Sequence, residues 1–380
     1  MPIGDMDPRS LERLLFAGCR NCRFCMVVIT RWERTMILPR FDVLVPGTPA
    51  EACRMLEQYA AKGVRILAGG TDLLVDLRKP IIPPHVPCCD GCAVHPGGRI
   101  RTTIDCSSWS AVASPANAGG SLRAWPQDEG QAPPKYLVSL HRLHDLHGIR
   151  LLADGSLRIG ALTTISEIAR SAEVRRYWTA LADGADSLGS PLVRNRGTLG
   201  GNIANARPAA DMAAATIALG GTLTLQGTEG ERFLPAQTFP TGPGLTVIQP
   251  DEILTFITYP PPRACSGSVY YKLANRKALE IATVGVSVWM SLEAPAGPIV
   301  DARVALGAVA PTPILSESAR QILLGKVPSE PDFRAAARAA REQARPIDNH
   351  RGSARYRLQM VELLTMRLLK SAFRRAGGPE

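Results

Sequence analysis

Two glycine-bearing runs hold the residues whose types and spacing could do chemistry. In "AGGTDLL" (68–74), Gly69 and Gly70 carry no Cβ and permit positive φ. The successive main-chain N–H groups of Ala68, Gly69, Gly70, Thr71 and Asp72 can then converge on one anion. Thr71 adds a hydroxyl donor, and Asp72 can accept from a ribose or ribityl hydroxyl. In "RNRGTLGGNIANARPAADM" (194–212), Gly200 and Gly201 are followed by Asn202 and Asn205, and a helix is expected near Pro208 with Asp211 in its first turn. A helix start offers free N–H groups and partial positive charge. Two separated backbone cradles suit a ligand with a diphosphate and a long polar tether, which is a dinucleotide. Neither G-x-G-x-x-G on a strand-turn-helix nor G-x-x-x-x-G-K-[ST] is present, which removes the Rossmann and P-loop readings. No catalytic triad accompanies the glycines.

The cysteines are the second chemical candidate. Cys88, Cys89, Cys92 and Cys106, with His85 and His95 beside them in "HVPCCDGCAVH", include a C-x-x-C that could form half of a zinc or iron-sulfur site. The alternative is a cysteine-containing loop without function. Cys19, Cys22 and Cys25 could supply three ligands of a cubane cluster, while Cys53 and Cys265 read as structural. Nine cysteines without a readable export signal fit thiols or metal ligands better than disulfides, and the cytoplasm is the expected compartment.

The elements that must position the glycine runs have clear signals. Residues 36–70 read as a strand, a turn at Pro46-Gly47, a helix capped near Thr48 with Pro49 at its first position, and a short apolar strand ending at Gly-Gly. Residues 80–134, rich in Pro, Gly, Ser and Cys, read as an insertion, being longer than a compact domain spends on a plain loop. Order resumes at "KYLVSLHRLHDLHGIRLLADGSLRIGALTTISEIARS". This is a strand, a helical turn, a hairpin turning at Asp154-Gly155, and a helix opened by Thr163 or Thr164 with Glu167 placed for a capping box. "YPPPR" (259–263) is the best boundary in the second half. Three strand-like and two helical runs follow it, an α+β succession.

The net charge of +10 raises nucleic acid as a partner. Over half of that excess sits in residues 331–380, with eleven Lys or Arg against five Asp or Glu. Arg334, Arg338, Arg341 and Arg345 recur there at helical spacing, a solvated or partner-facing stripe with no aromatic platform, and nucleic acid is not expected. No apolar stretch reaches membrane-spanning length.

On "AGGTDLL", "RNRGTLGGNIANARPAAD", "DEILTFITYP", "YYKLANRKALEIATVGVSV", "LGAVAPTP" and "PIDNHRGSARYRLQM", taken in order, the chain resembles the flavin-binding subunits of the molybdenum hydroxylases, of the carbon monoxide dehydrogenase medium-subunit and xanthine dehydrogenase FAD-domain type. The resemblance covers residues 36 to about 375 apart from 80–134. It implies an α+β fold: a two-subdomain PCMH-type FAD-binding domain (36–262), then a smaller C-terminal α+β domain (263–380) built on a three-stranded sheet with helices. Residues 1–35 stand outside it as an N-terminal extension. It implies FAD held by Ala68, Gly69, Gly70, Thr71 and Asp72 and by Thr198, Gly200, Gly201 and Asn202, with Asp211 on a polar part of the cofactor. Leu188, Leu254 and Lys272 match further FAD contacts, and Glu280 and Ile281 match positions near the isoalloxazine ring. Leu192 stands where the family often has glutamine. The implied partners are a molybdopterin-containing large subunit and a 2Fe-2S small subunit. Electrons would arrive from the latter and leave to an external acceptor. Two alternatives share the fold: the flavin subunit of an aryl-CoA reductase-like enzyme with an extra metal centre, and a flavin-free scaffold subunit. The insertion of such reductases follows the second Gly-Gly motif, whereas here "GGNIANARPAADM" is uninterrupted.

Overall fold

The computed structural model describes residues 38–77 and 133–378. Residues 40–73 and 133–378 fall in one compact unit; the second unit contributes only 38–39 and 74–77 to the described residues. The cysteines at 19, 22, 25, 88, 89, 92 and 106 lie outside the described residues. So does most of the segment read as an insertion.

The first layer is a parallel sheet in the order β1-β3-β2, made of Asp42–Leu44 (β1), Val64–Leu67 (β2) and Tyr136–Ser139 (β3). Both β1 and β2 pair in parallel with the central β3, and Pro49–Tyr59 (α1) supplies the crossover that carries the chain from β1 to β2 in the same direction. Thr48 caps α1 by accepting from the Glu51 N–H at 3.2 Å, with Pro49 at the first helical position. The face of α1 carrying Ala52, Cys53 and Leu56 is buried with Val138 and Leu140. β2 delivers the chain into the loop 68–72, and a short helix, Leu73–Leu77 (α2), follows.

The second sheet is antiparallel, in the order β4-β5-β10-β6-β7. Ile149–Leu151 (β4) and Leu157–Gly160 (β5) form the hairpin turning at Asp154-Gly155, with Gly155 at φ 81. Between β5 and Thr222–Gly227 (β6) lie six helices: Ile165–Arg170 (α3), Ala172–Tyr177 (α4), Thr179–Ser187 (α5), Pro191–Arg194 (α6), Leu199–Ala204 (α7) and Asp211–Ala218 (α8). Thr164 caps α3 in a full capping box with Glu167. Gly230–Pro235 (β7) is the exposed edge, and Ile253–Tyr259 (β10) runs through the middle, buried at every residue but Phe256 and Thr258. The hairpin Pro240–Gly242 (β8) and Leu245–Thr246 (β9) stands apart.

The third sheet, in the order β11-β12-β13-β14, carries Ser266–Leu273 (β11), Val284–Leu292 (β12), Ile299–Gly307 (β13) and Ile314–Leu315 (β14). The expected three strands are present, and the turn after β13 returns two further residues as a fourth. Three helices follow rather than two: Glu317–Leu323 (α9), Glu330–Gln343 (α10) and Ala354–Arg375 (α11). The seven-residue α9 was too short to show a period in the sequence. The α9–α11 layer covers one face of this sheet, while α5 and α8 pack on its other side.

Candidate functional site

The two glycine runs meet. A Cβ built on Gly69 would stand 2.1 Å from the Arg196 carbonyl oxygen and 3.1 Å from the Gly197 Cα. Only glycine allows this approach, and Gly70 beside it takes φ 75, the left-handed region that disfavours side chains. A Cβ on Gly197 would in turn lie 3.6 Å from the Thr71 hydroxyl. No main-chain carbonyl among the described residues takes the N–H groups of Gly69, Gly70 or Thr71. These donors, on a half-buried loop, are available to an anion.

The second run works differently from the first. Thr198 caps α7 and pairs with Thr164 in an antiparallel bridge, so that two Thr-capped helix starts lie back to back. The Leu199 N–H donates to the Thr163 carbonyl (3.0 Å), that of Gly200 to the Ala161 carbonyl (2.8 Å), and that of Gly201 to the Thr198 hydroxyl (3.1 Å). Helix-start amides normally lack partners; here the chain itself fills them. The second Gly-Gly pair is thus no second nest but a close-packing device, since a Cβ on Gly200 would sit 2.5 Å from the Ala161 methyl. What this run presents to a ligand is the Thr198 hydroxyl, the Asn202 amide and the bare surface of Gly201.

The next helix begins at Asp211, not near Pro208. Arg207 precedes proline and is disfavoured in the helical region, Ala206 sits at φ 46, and residues 207–210 close a turn through the Ala210 N–H and the Arg207 carbonyl. Asn202 bridges α7 to this helix by accepting from the Met212 N–H at 3.3 Å.

Asp211 is buried and holds the site's strongest electrostatic contact. Its carboxylate accepts from Lys272 Nζ at 2.8 Å and from the Tyr270 hydroxyl at 3.0 Å. Burial pushes the Asp211 carboxyl above its ordinary value, opposed by the Lys272 ammonium and the Tyr270 hydroxyl. The Tyr270 phenol rises well above its own ordinary value through burial and then the Asp211 charge, so it remains a donor. Lys272 also reaches the Ser187 carbonyl at 3.3 Å, which brings in Leu188. The loop 274–283 closes the seam: the Leu279 N–H donates to the Gly189 carbonyl at 3.2 Å. Glu280 is held by Arg276 at 2.7 Å, and Ile281 is half exposed. Leu188 and Leu254 are buried in one apolar core. Leu192 is 81% exposed.

A continuous path thus runs from the 68–72 loop through Gly197, Thr198, Asn202, Asp211 and Lys272 to Leu188 and the Glu280 loop. Two contributors escaped sequence reasoning. The Arg196 carbonyl has no signal in its residue type, but Tyr270 was legible, because it and Lys272 are two apart on β11 and share a face. Three main-chain donors without a main-chain acceptor among the described residues, a buried ion pair and a half-exposed apolar loop fit a ligand that is anionic at one end and aromatic at the other, as FAD is. Among the described residues, no group of three or more His, Cys, Asp or Glu could hold a metal ion, and no helix is long and apolar enough to cross a membrane.

Comparison with known proteins identifies the family. Residues 113–262 match the FAD binding domain in molybdopterin dehydrogenase, and residues 269–372 match the CO dehydrogenase flavoprotein C-terminal domain. The xanthine dehydrogenase FAD-binding subunit of Escherichia coli O157:H7 is 34% identical over 64% of this chain and 83% of its own length. The carbon monoxide dehydrogenase medium chain of Hydrogenophaga pseudoflava is 35% identical over 64% and 84%. Among solved structures, carbon monoxide dehydrogenase from Hydrogenophaga pseudoflava superposes with TM-score 0.73 and 30% identity, covering 90% of this chain and 99% of that one. Quinoline 2-oxidoreductase from Pseudomonas putida 86 gives 0.70 and 25% over 90% and 100%. The chain belongs to the FAD-binding medium subunits of the molybdenum hydroxylase family of oxidoreductases.

Proposed function

We propose that the protein is the FAD-bearing electron-transfer subunit of a multi-subunit molybdenum hydroxylase, taking electrons from a 2Fe-2S subunit and passing them to an external acceptor. The observation that carries this reading is the seating of Gly69 against Arg196–Gly197, which joins two chain segments into one donor-lined seam. FAD supplies the redox chemistry when bound, taking electrons singly and giving them up as a pair. The chain's own work is to bind and orient. The N–H groups of Gly69, Gly70 and Thr71 would face the diphosphate, and Thr198, Gly201 and Asn202 would seat the polar tether, with Gly200 allowing the close packing behind them. Asp211, fixed by Lys272 and Tyr270, accepts from a cofactor hydroxyl. Leu188 and Leu254 would lie near the flavin or adenine, and Glu280 and Ile281 beside the isoalloxazine ring. Residues 36–262 form the flavin-binding part and 263–380 the C-terminal part, with 1–35 an extension.

On this reading, substrate chemistry falls to a molybdopterin-containing large subunit. Relatives named as medium chains, and one named as subunit alpha of a dehydrogenase complex, support an assembly of this kind. The test is to express the chain alone and with both partner subunits. A yellow protein without turnover by itself, which reduces an acceptor only when reconstituted, supports the reading. A colourless protein, or turnover without partners, would sink it.

A further inference from the structure

We propose that Arg351 and Arg357 place positive charge, paired with no carboxylate within ion-pair distance among the described residues, beside the loop 274–283 and thereby raise the reduction potential of the flavin beside Glu280 and Ile281. The inference rests on the functional reading above. It starts from an anomaly of hydrogen bonding: Arg351 Nε, Arg357 Nε and Thr283 Oγ1 are all buried without a hydrogen-bond partner among the described residues. Buried donors are normally satisfied, and these three belong to one patch. A Cβ on Gly352, next to Arg351, would lie 3.4 Å from the Thr283 methyl. Asn349 pairs with Gly352 across the turn, and its side-chain oxygen accepts from the Arg351 N–H (2.9 Å) and from Arg357 Nη2 (2.6 Å).

Arg357 is 3% exposed, and its other anchor is the Ala308 carbonyl at 3.0 Å. Ala308, at φ 63, donates its N–H to the Pro208 carbonyl at 2.7 Å. The cation is thereby tied to the segment leading into Asp211 on one side and to Thr283, two residues past Ile281, on the other. Its partners are neutral acceptors. Among the described residues, no carboxylate lies within ion-pair distance of either guanidinium: Glu280 is taken by Arg276, and Asp348 accepts from the Ala354 N–H at 2.7 Å. Burial, then the Arg351 charge, push the Arg357 guanidinium below its ordinary value, opposed by the Asp348 carboxylate. Glu280 feels the Arg351 charge and Asp348 the Arg357 charge only across a longer gap, so compensation is partial, and a charge without a close counter-ion in a poorly hydrated patch acts over a longer range than an exposed pair. Flavin reduction by two electrons with one proton adds one negative charge to the ring, so nearby positive charge favours the reduced form.

The test is redox titration of the holo-protein with Arg351→Met, Arg351→Lys and Arg351→Gln, after measuring flavin content in each. At the wild-type midpoint, the ratio of reduced to oxidised flavin should fall about tenfold in Arg351→Met, about 30 mV for a two-electron couple, and Arg351→Lys should restore most of it. Arg351→Gln keeps an amide donor without charge and should behave as Met does. A flavin-replete Met variant with an unmoved midpoint overturns the proposal. A Lys variant displaced as far as Met, or loss of flavin from both neutral variants alone, also overturns it, since the arginine would then position or hold rather than tune. Absence of flavin from wild type instead defeats the functional reading.

Discussion

One methyl group at Gly69 would meet the Arg196 carbonyl at 2.1 Å, a distance no packed atom tolerates. Gly69→Ala should therefore push the two glycine runs apart, and the flavin-to-protein absorbance ratio of the purified variant should drop at least several-fold while its circular dichroism stays close to wild type. Retention of full flavin content would refute the role assigned to this approach. Cys53 supplies a different residue-scale expectation. Its thiol donates to the Gln226 carbonyl at 3.1 Å, and burial, then Asp251, push it up from 9.0 to about 11. A raised thiol value stabilises the fold fully below pH 9.0, and that contribution is lost as pH rises through about 11. Mass-spectrometric mapping should find Cys53 unalkylated in the native protein below pH 9.0 and modified after denaturation. Native labelling would contradict the burial argument.

At the scale of elements, β11 and α8 are locked by Lys272, Tyr270 and Asp211. Removing one partner of a buried pair leaves the other charge stranded, at a cost of roughly 3–5 kcal/mol. Lys272→Met should lower stability by that order in denaturant unfolding, and the Asp211→Asn/Lys272→Met double variant should recover part of it; equal loss in both would show that the stranded charge is not the cause. The capping box at α3 is a smaller device. Thr164→Ala removes the acceptor for the Glu167 N–H, at about 1 kcal/mol. Because Thr164 is also bridged to Thr198, it should lower flavin retention as well as the unfolding midpoint.

Across the larger unit, one apolar core runs from Leu157 and Ile159 of the second sheet, through Leu181, Met212 and Ala215 of the helices, to Tyr270 and Ala305 of the third. A shared core argues against independent melting of the two sheets. Flavin release and loss of helical dichroism should follow a single thermal transition, and two separated transitions would show that the third sheet folds on its own. The Arg375–Asp183 contact also joins the last helix to α5, but both side chains are substantially exposed, so Arg375→Ala should change stability by less than about 1 kcal/mol.

The sequence by itself determined what depends on near neighbours along the chain. The cap of α1 at Thr48 and Pro49, the hairpin at Asp154-Gly155, the Glu167 capping box and the strands after Pro260 follow from residue type and spacing, because each is closed within a few residues. The family was legible for the same reason, being carried by short ordered motifs. Only the tertiary structure decided what those motifs do. "LGGN" and "AGGT" look alike in sequence, yet one spends its amides on Ala161, Thr163 and Thr198 while the other keeps three without a main-chain partner among the described residues. A short helix such as α9 shows no period before it packs, and a proline that can open a helix is overruled by the turn at 207–210. The pairing of Arg357 with neutral acceptors was equally hidden. Whether a donor is taken, or a charge compensated, depends on what folding brings beside it from far along the chain.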